Sequence, residues 1–187
     1  MSIATQRMTA AEFMELPEDP HEVRRELVNG EIVVSPSPSF AHGVAMSKLI
    51  SILDHYAESL SLGLVSADVD NVVSKFTVRR PDVLYFSFER LHLATAQKHI
   101  VGPPDLCVEF ISPSSVRTDR VDKLSEYAAY GVAHYWIIDP IGKAADAFLL
   151  TGSHYTLAAN GAGAEIVRFP PFMDLEIPLD KLWLPRV

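Results

Sequence analysis

The chain has 187 residues, enough for one domain, residues 1–187, with a sizeable core. With 48% hydrophobic and 21% charged residues it is not a disordered chain. Its net charge of −8 excludes a protein that coats nucleic acid by bulk electrostatics, but not an enzyme whose acidic site is neutralised by a cation.

No apolar run reaches the ~20 residues of a membrane helix. The start, Met1-Ser2-Ile3-Ala4-Thr5-Gln6-Arg7, has no apolar signal core, so a cytoplasmic protein is expected. The single Cys107 forbids an intramolecular disulfide and fits a reducing compartment. Thr9-Ala10-Ala11-Glu12 is a capping box, with Met8 and Phe13 spaced as a hydrophobic staple. A short helix is expected from about Ala10 to Leu16, then a loop from Pro17 to His21. Asn29-Gly30 between two apolar runs predicts a hairpin, ended by Pro36 and Pro38. Ala45, Leu49, Ile52, Leu53, Tyr56 and Leu60 recur at helical spacing, so a long helix runs from Ala41 to about Leu60, with Gly63 as its stop.

Leu64 to Val69 and Val72 to Val78 read as a second antiparallel pair. Val83 to Phe86 and Leu106 to Ile111 read as short buried strands, separated by a helical turn near Phe88 and a polar loop to Pro103. A loop rich in hydroxyls, Ser112 to Thr118, leads to a helix from Asp119 to Tyr130 that stops at Gly131. Tyr135 to Ile138 is a strand. Ala147–Leu150, His154–Leu157 and Ala164–Val167 follow as antiparallel strands, with turns at Gly152, Asn160-Gly161 and Gly163. This order predicts an α/β sandwich around a mixed sheet, with functional groups at strand ends.

Two carboxylates stand out. Asp82 opens an apolar run and Glu109 lies inside one, sharing a strand face with Cys107 and Ile111. Buried carboxylates need a partner. A turn role for Asp82 and a buried salt bridge for Glu109 are the plain explanations. A divalent cation would serve both at once. Lys123 falls at the edge of its helix's apolar stripe, where a lysine usually snorkels, with Tyr127 one turn on and Glu126 in pairing range. Glu26 is either a hairpin surface charge or a third carboxylate of the site. His42 reads more readily as a cap or surface residue than as a ligand. The chain has no zinc spacing, phosphate-binding glycine loop or Gly-x-Ser-x-Gly elbow.

Taken together, Arg25-Glu26-Leu27-Val28-Asn29-Gly30-Glu31, His42-Gly43, Arg80-Pro81-Asp82-Val83, Val108-Glu109-Phe110-Ile111-Ser112-Pro113-Ser114, Lys123-Leu124-Ser125-Glu126-Tyr127 and Gly131 through Pro140 resemble the Uma2 family, from about Met8 to Leu184. That family belongs to the PD-(D/E)XK nuclease superfamily. The resemblance implies a restriction-endonuclease-like αβββαβ core, with an N-terminal helix and hairpin and extra C-terminal strands. It implies Asp82 and Glu109 as ligands of Mg²⁺ or Mn²⁺, helped by the Phe110 carbonyl. The superfamily lysine belongs two residues after Glu109, where Ile111 stands. In the Uma2 group the lysine has moved to the next helix, and Lys123 matches that position. Glu26 matches an acidic residue near the site.

The expected function is metal-dependent endonucleolytic cleavage of DNA, with Asp82, Glu109, Lys123 and Glu26 as the site and a homodimer as the assembly. The alternatives are a catalytically silent nucleic-acid-binding or protein-interaction module of the same fold, and a phosphohydrolase acting on nucleotides. The apolar Phe172, Leu175, Leu182, Trp183 and Leu184 are expected to pack on the core or on a partner.

Overall fold

The computed structural model describes residues 7–17, 24–95 and 99–185. The segment Met1–Gln6, the expected loop from Pro17 to His21 and part of the loop before Pro103 lie wholly or partly outside these residues. Thr9 caps helix α1 (Ala10–Met14) through both halves of the capping box, and Met8 and Phe13 join one apolar cluster. Strands β1 (Arg25–Val28) and β2 (Glu31–Val34) form the expected hairpin. Asn29 (φ 53) and Gly30 (φ 85) both take the left-handed conformation that a tight hairpin turn requires. At Gly30 a Cβ would also lie 2.6 Å from the Cβ of Arg7.

Helix α2 (Phe40–Ser59) starts at Ser39, whose hydroxyl accepts the His42 N–H. Ala45, Leu49, Leu53 and Ala57 form its buried stripe, while Leu60, expected on that stripe, is exposed. Ser61 (φ 52), not Gly63, makes the left-handed turn after the helix. Gly63 instead opens β3 (Gly63–Ser66), where a Cβ would sit 2.1 Å from the Phe86 carbonyl oxygen.

The expected pairing of Leu64–Val69 with Val72–Val78 is not what forms. β4 (Asn71–Ser74) and β5 (Thr77–Arg79) pair with each other around Lys75-Phe76, a turn with no glycine or proline to announce it. β3 pairs instead with β6 (Val83–Ser87). A short helix α3 (His92–Thr95) and strand β7 (Leu106–Phe110) follow. The expected helix from Asp119 is in two parts: a π-helical turn (Thr118–Asp122), then α4 (Lys123–Tyr130), capped by Gly131 at φ 92.

Strands β8 (His134–Asp139), β9 (Ala144–Thr151) and β10 (His154–Ala162) complete the main sheet. Asn160-Gly161 is not a turn. Both residues continue β10, where the Val167 side chain stands 2.4 Å from where a Gly161 Cβ would lie. β11 (Ile166–Val167) pairs with β12 (Ile177–Pro178), ahead of a 3₁₀ turn at Leu179–Lys181.

The six-stranded sheet has the order β10-β9-β8-β7-β6-β3, and the four-stranded sheet β2-β1-β5-β4. Only β7 and β8 pair in parallel within the large sheet, as a β-α-β unit joined through α4 requires. One face of that sheet packs on α2 through Val83, Tyr85, Leu106, Val108, Phe110 and Trp136. The other packs on α4 through Cys107, Ile111, Tyr135 and Ile137. Phe172, Leu182 and Trp183 are buried in the α2-side core and Leu175 packs against it, so these residues serve the core rather than a partner. Among the described residues no helix is long and apolar enough to cross a membrane.

Candidate active site

The β6–β7 ladder pairs Val83 with Val108 and Leu84 with Cys107. One step beyond its end, the same antiparallel register sets Asp82 opposite Glu109. Both carboxylates are buried, at 4% and 2% exposure. Like charges facing each other across a ladder repel, so each needs compensation. Asp82 Oδ2 accepts the Phe110 N–H at 2.8 Å, and Oδ1 accepts from Arg24 at 2.7 Å. Glu109 Oε1 accepts the Tyr127 hydroxyl at 2.9 Å, and Oε2 lies 2.7 Å from the Lys123 ammonium. Burial, and then the crowding by Asp82, Asp119 and Glu26, push the Glu109 pKa up to about 8 although Lys123 pulls it back.

Lys123 is not at the solvent boundary where its position on the helical wheel puts it. It is 6% exposed. A π-helical turn lies just before it, closed by the Lys123 N–H on the Thr118 carbonyl. Lys123 shares one face with Tyr127, at i+4, and both reach Glu109, so the buried face of α4 extends beyond its apolar stripe. The same turn buries Asp119, whose carboxylate is 3.1 Å from the Lys123 ammonium. Burial opposes the ammonium, but Glu109, Glu26 and Asp119 outweigh it and hold its pKa above the usual lysine value.

Glu26, on β1, does not stand on the hairpin surface. Its Oε1 accepts the Arg80 N–H at 2.8 Å and its Oε2 lies 3.1 Å from Arg79. Burial disfavours this carboxylate, yet Lys123 and Arg79 hold its pKa below the usual range. Arg79, 2% exposed, also grips both oxygens of Glu126, at 2.7 and 2.9 Å. Glu126 therefore pairs with β5 and not with Lys123. His42 faces the site: its Nε2 is 3.7 Å from Asp82 Oδ2, and its ring lies 5.4 Å from that of Phe110.

The fold thus brings Asp82, Glu109 and Lys123 together, with Glu26 beside them at the Arg79–Arg80 bend. Sequence reasoning missed Asp119, Arg24 and Arg79. Asp119 had a signal, the i to i+4 spacing to Lys123. The two arginines act across long sequence separations, which no local pattern reports.

The donors suit a hard divalent ion. Mg²⁺ takes one or two carboxylates and completes its shell with water and phosphate oxygens. Asp82, Glu109 and the Phe110 carbonyl are oxygen donors of that kind. Among the described residues no three His, Cys, Asp or Glu side chains group to hold an ion by themselves.

The mixed sheet thus sets Asp82 and Glu109 on adjacent segments, with the Lys123 ammonium upon Glu109. The family model of Uma2, described as "Putative restriction endonuclease", matches residues 10–180. The chain belongs to the Uma2 family, and nuclease is its coarse functional class. Among solved structures it is similar to a protein described as a putative nuclease belonging to DUF820 from Anabaena variabilis ATCC 29413. The two share 19% identity with a TM-score of 0.77, over 94% of this chain and 97% of the other, which establishes a common fold. No curated protein matches the chain.

Proposed function

We propose that this protein is a metal-dependent endonuclease that hydrolyses DNA phosphodiester bonds. The observation that carries this reading is Asp82 facing Glu109 at the end of the β6–β7 ladder, with the Lys123 ammonium 2.7 Å from Glu109. Mg²⁺ or Mn²⁺ held by Asp82, Glu109 and the Phe110 carbonyl would neutralise phosphate charge and lower the pKa of water. Lys123 orients the attacking water or stabilises the charge that builds on the phosphorane. Asp119 and Tyr127 fix Lys123 and Glu109 in place. Glu26 acts as a positioning residue, holding the chain two residues before Asp82 through the Arg80 N–H.

A cytoplasmic homodimer is the setting we propose, by analogy with restriction nucleases that cut two strands with two sites. The test of function is cleavage of supercoiled plasmid and single-stranded DNA in Mg²⁺ or Mn²⁺. Wild type should nick or linearise the plasmid, and Asp82→Ala and Lys123→Ala should each lose at least about 100-fold in rate.

A second reading, a silent binding module of the same fold, is favoured by the net charge of −8 and by the engagement of every Asp82 and Glu109 oxygen with protein groups. It predicts that wild type binds DNA or a protein partner and cuts nothing under any metal.

A further inference from the structure

Arg24 sits just before β1 and uses only part of its guanidinium. One Nη donates to Asp82 Oδ1 at 2.7 Å and the other to the Arg80 carbonyl. Nε is buried yet has no hydrogen-bond partner, and its ion-pair contact with Asp68 is 3.8 Å long. Asp82 Oδ2 accepts the Phe110 N–H and Arg24 stands on Oδ1, so a metal ion that takes Oδ1 competes with Arg24. A guanidinium and a divalent cation repel each other on one carboxylate oxygen.

The two cations of the site also differ in freedom. The Lys123 side chain is 7% exposed and clamped between Glu109 and Asp119, whereas that of Arg24 is 25% exposed and enters from the chain before a strand. The planar fork of arginine matches two phosphate oxygens, and release from Asp82 would free one Nη beside the unpartnered Nε, two donors for a phosphate. In a chain of net charge −8, affinity for a polyanion must come from local cations of this kind.

We propose that Arg24 is a phosphate-binding residue held on Asp82 in the metal-free protein, which a divalent ion displaces onto the DNA backbone. The inference rests on the metal-dependent nuclease reading above. Arg24 is thus both a competitor of the metal and a ligand of the substrate. Removing it must strengthen one affinity and weaken the other, an opposite pair of effects that a purely structural arginine does not produce.

The experiment measures Mn²⁺ affinity by calorimetry, and binding of a labelled 20-base-pair duplex in Ca²⁺ at several salt concentrations. Wild type, Arg24→Ala, Arg24→Lys and Asp82→Ala are compared, each first checked for its fold by circular dichroism. Arg24→Ala should bind Mn²⁺ several-fold more tightly and the duplex about tenfold more weakly. Its slope of log affinity against log salt should fall by about one. Arg24→Lys, which keeps the charge and loses the fork, should lie between. Weaker Mn²⁺ binding by Arg24→Ala, or an unchanged salt slope, overturns the proposal. In either case loss of Mn²⁺ binding in Asp82→Ala leaves the metal site itself standing. If Mn²⁺ binds wild type and Asp82→Ala alike, or wild type does not bind the duplex, the nuclease reading falls and this inference falls with it.

Discussion

Glu109 lies in the middle of an apolar strand and three other carboxylates crowd it. Its pKa is raised to about 8, so the folded metal-free protein holds a proton on this group more tightly than the unfolded chain does. The contribution of this group to stability is therefore fully present below about pH 4.5 and is lost as pH rises through about 8. A bound metal ion needs the ionised form, so its stabilisation grows over the same interval. Melting curves of wild type from pH 5.5 to 8.5, in EDTA and in Mn²⁺, should show a metal-induced shift that widens as pH rises. Glu109→Gln should flatten the difference, and a wild-type difference independent of pH would refute the assignment of Glu109 to the ion.

At this scale the sequence exposes an anomaly without its solution. A glutamate among Val108, Phe110 and Ile111 demands compensation. That the compensation comes from Lys123, Tyr127 and the missed Asp119 depends on how a helix lies over a strand.

Elements join the site through one buried arginine. Arg79, at the end of β5, pairs with Glu26 on β1 and holds Glu126 on α4 at two points. It ties the four-stranded sheet to the helix that bears Lys123. Its loss leaves Glu26 buried without its ion-pair partner, held only by the Arg80 N–H and the more distant Lys123 charge. Arg79→Ala should cost ~3–5 kcal/mol, with Arg79→Lys recovering only part, as measured by urea unfolding. An Arg79→Ala midpoint near that of wild type would show that α4 is held by its apolar contacts alone.

Local chemistry announces most of these elements: the capping box of α1, the Asn29-Gly30 turn and the Gly131 cap. Strand partnership is different. Lys75-Phe76 turns the chain without a turn residue, and Asn160-Gly161 offers turn residues where the strand continues. In both places pairing across the sheet overrides local propensity. The π-helical turn is hidden as well, since a single extra residue in a helix leaves no compositional trace.

For the whole molecule, a charge of −8 and an acidic site stand against a polyanionic substrate. Long-range attraction does not draw DNA to such a surface, so on the proposed function affinity awaits the ion that reverses the sign of the field at the carboxylates. Binding of a DNA duplex should be weak in EDTA and should rise by at least about tenfold in Ca²⁺, without cleavage in that metal. Filter binding at fixed ionic strength measures this. Equal affinity with and without Ca²⁺ would mean that DNA docks away from the carboxylates.

Cys107 lies in β7 at 0% exposure, two residues from Glu109 and directly paired with Leu84, itself two residues from Asp82. Burial raises its thiol pKa well above the usual value, so the folded chain should be inert to thiol reagents. A reagent reaches the sulfur only when the centre of the large sheet opens. The rate at which an aromatic disulfide labels the native protein is then a clock for that opening. An ion clasping Asp82 and Glu109 across β6 and β7 should slow the clock, while one bound elsewhere should leave it running at its metal-free rate. The chain's single thiol thereby offers a stopwatch on the strands that carry the carboxylates, with no label engineered into them.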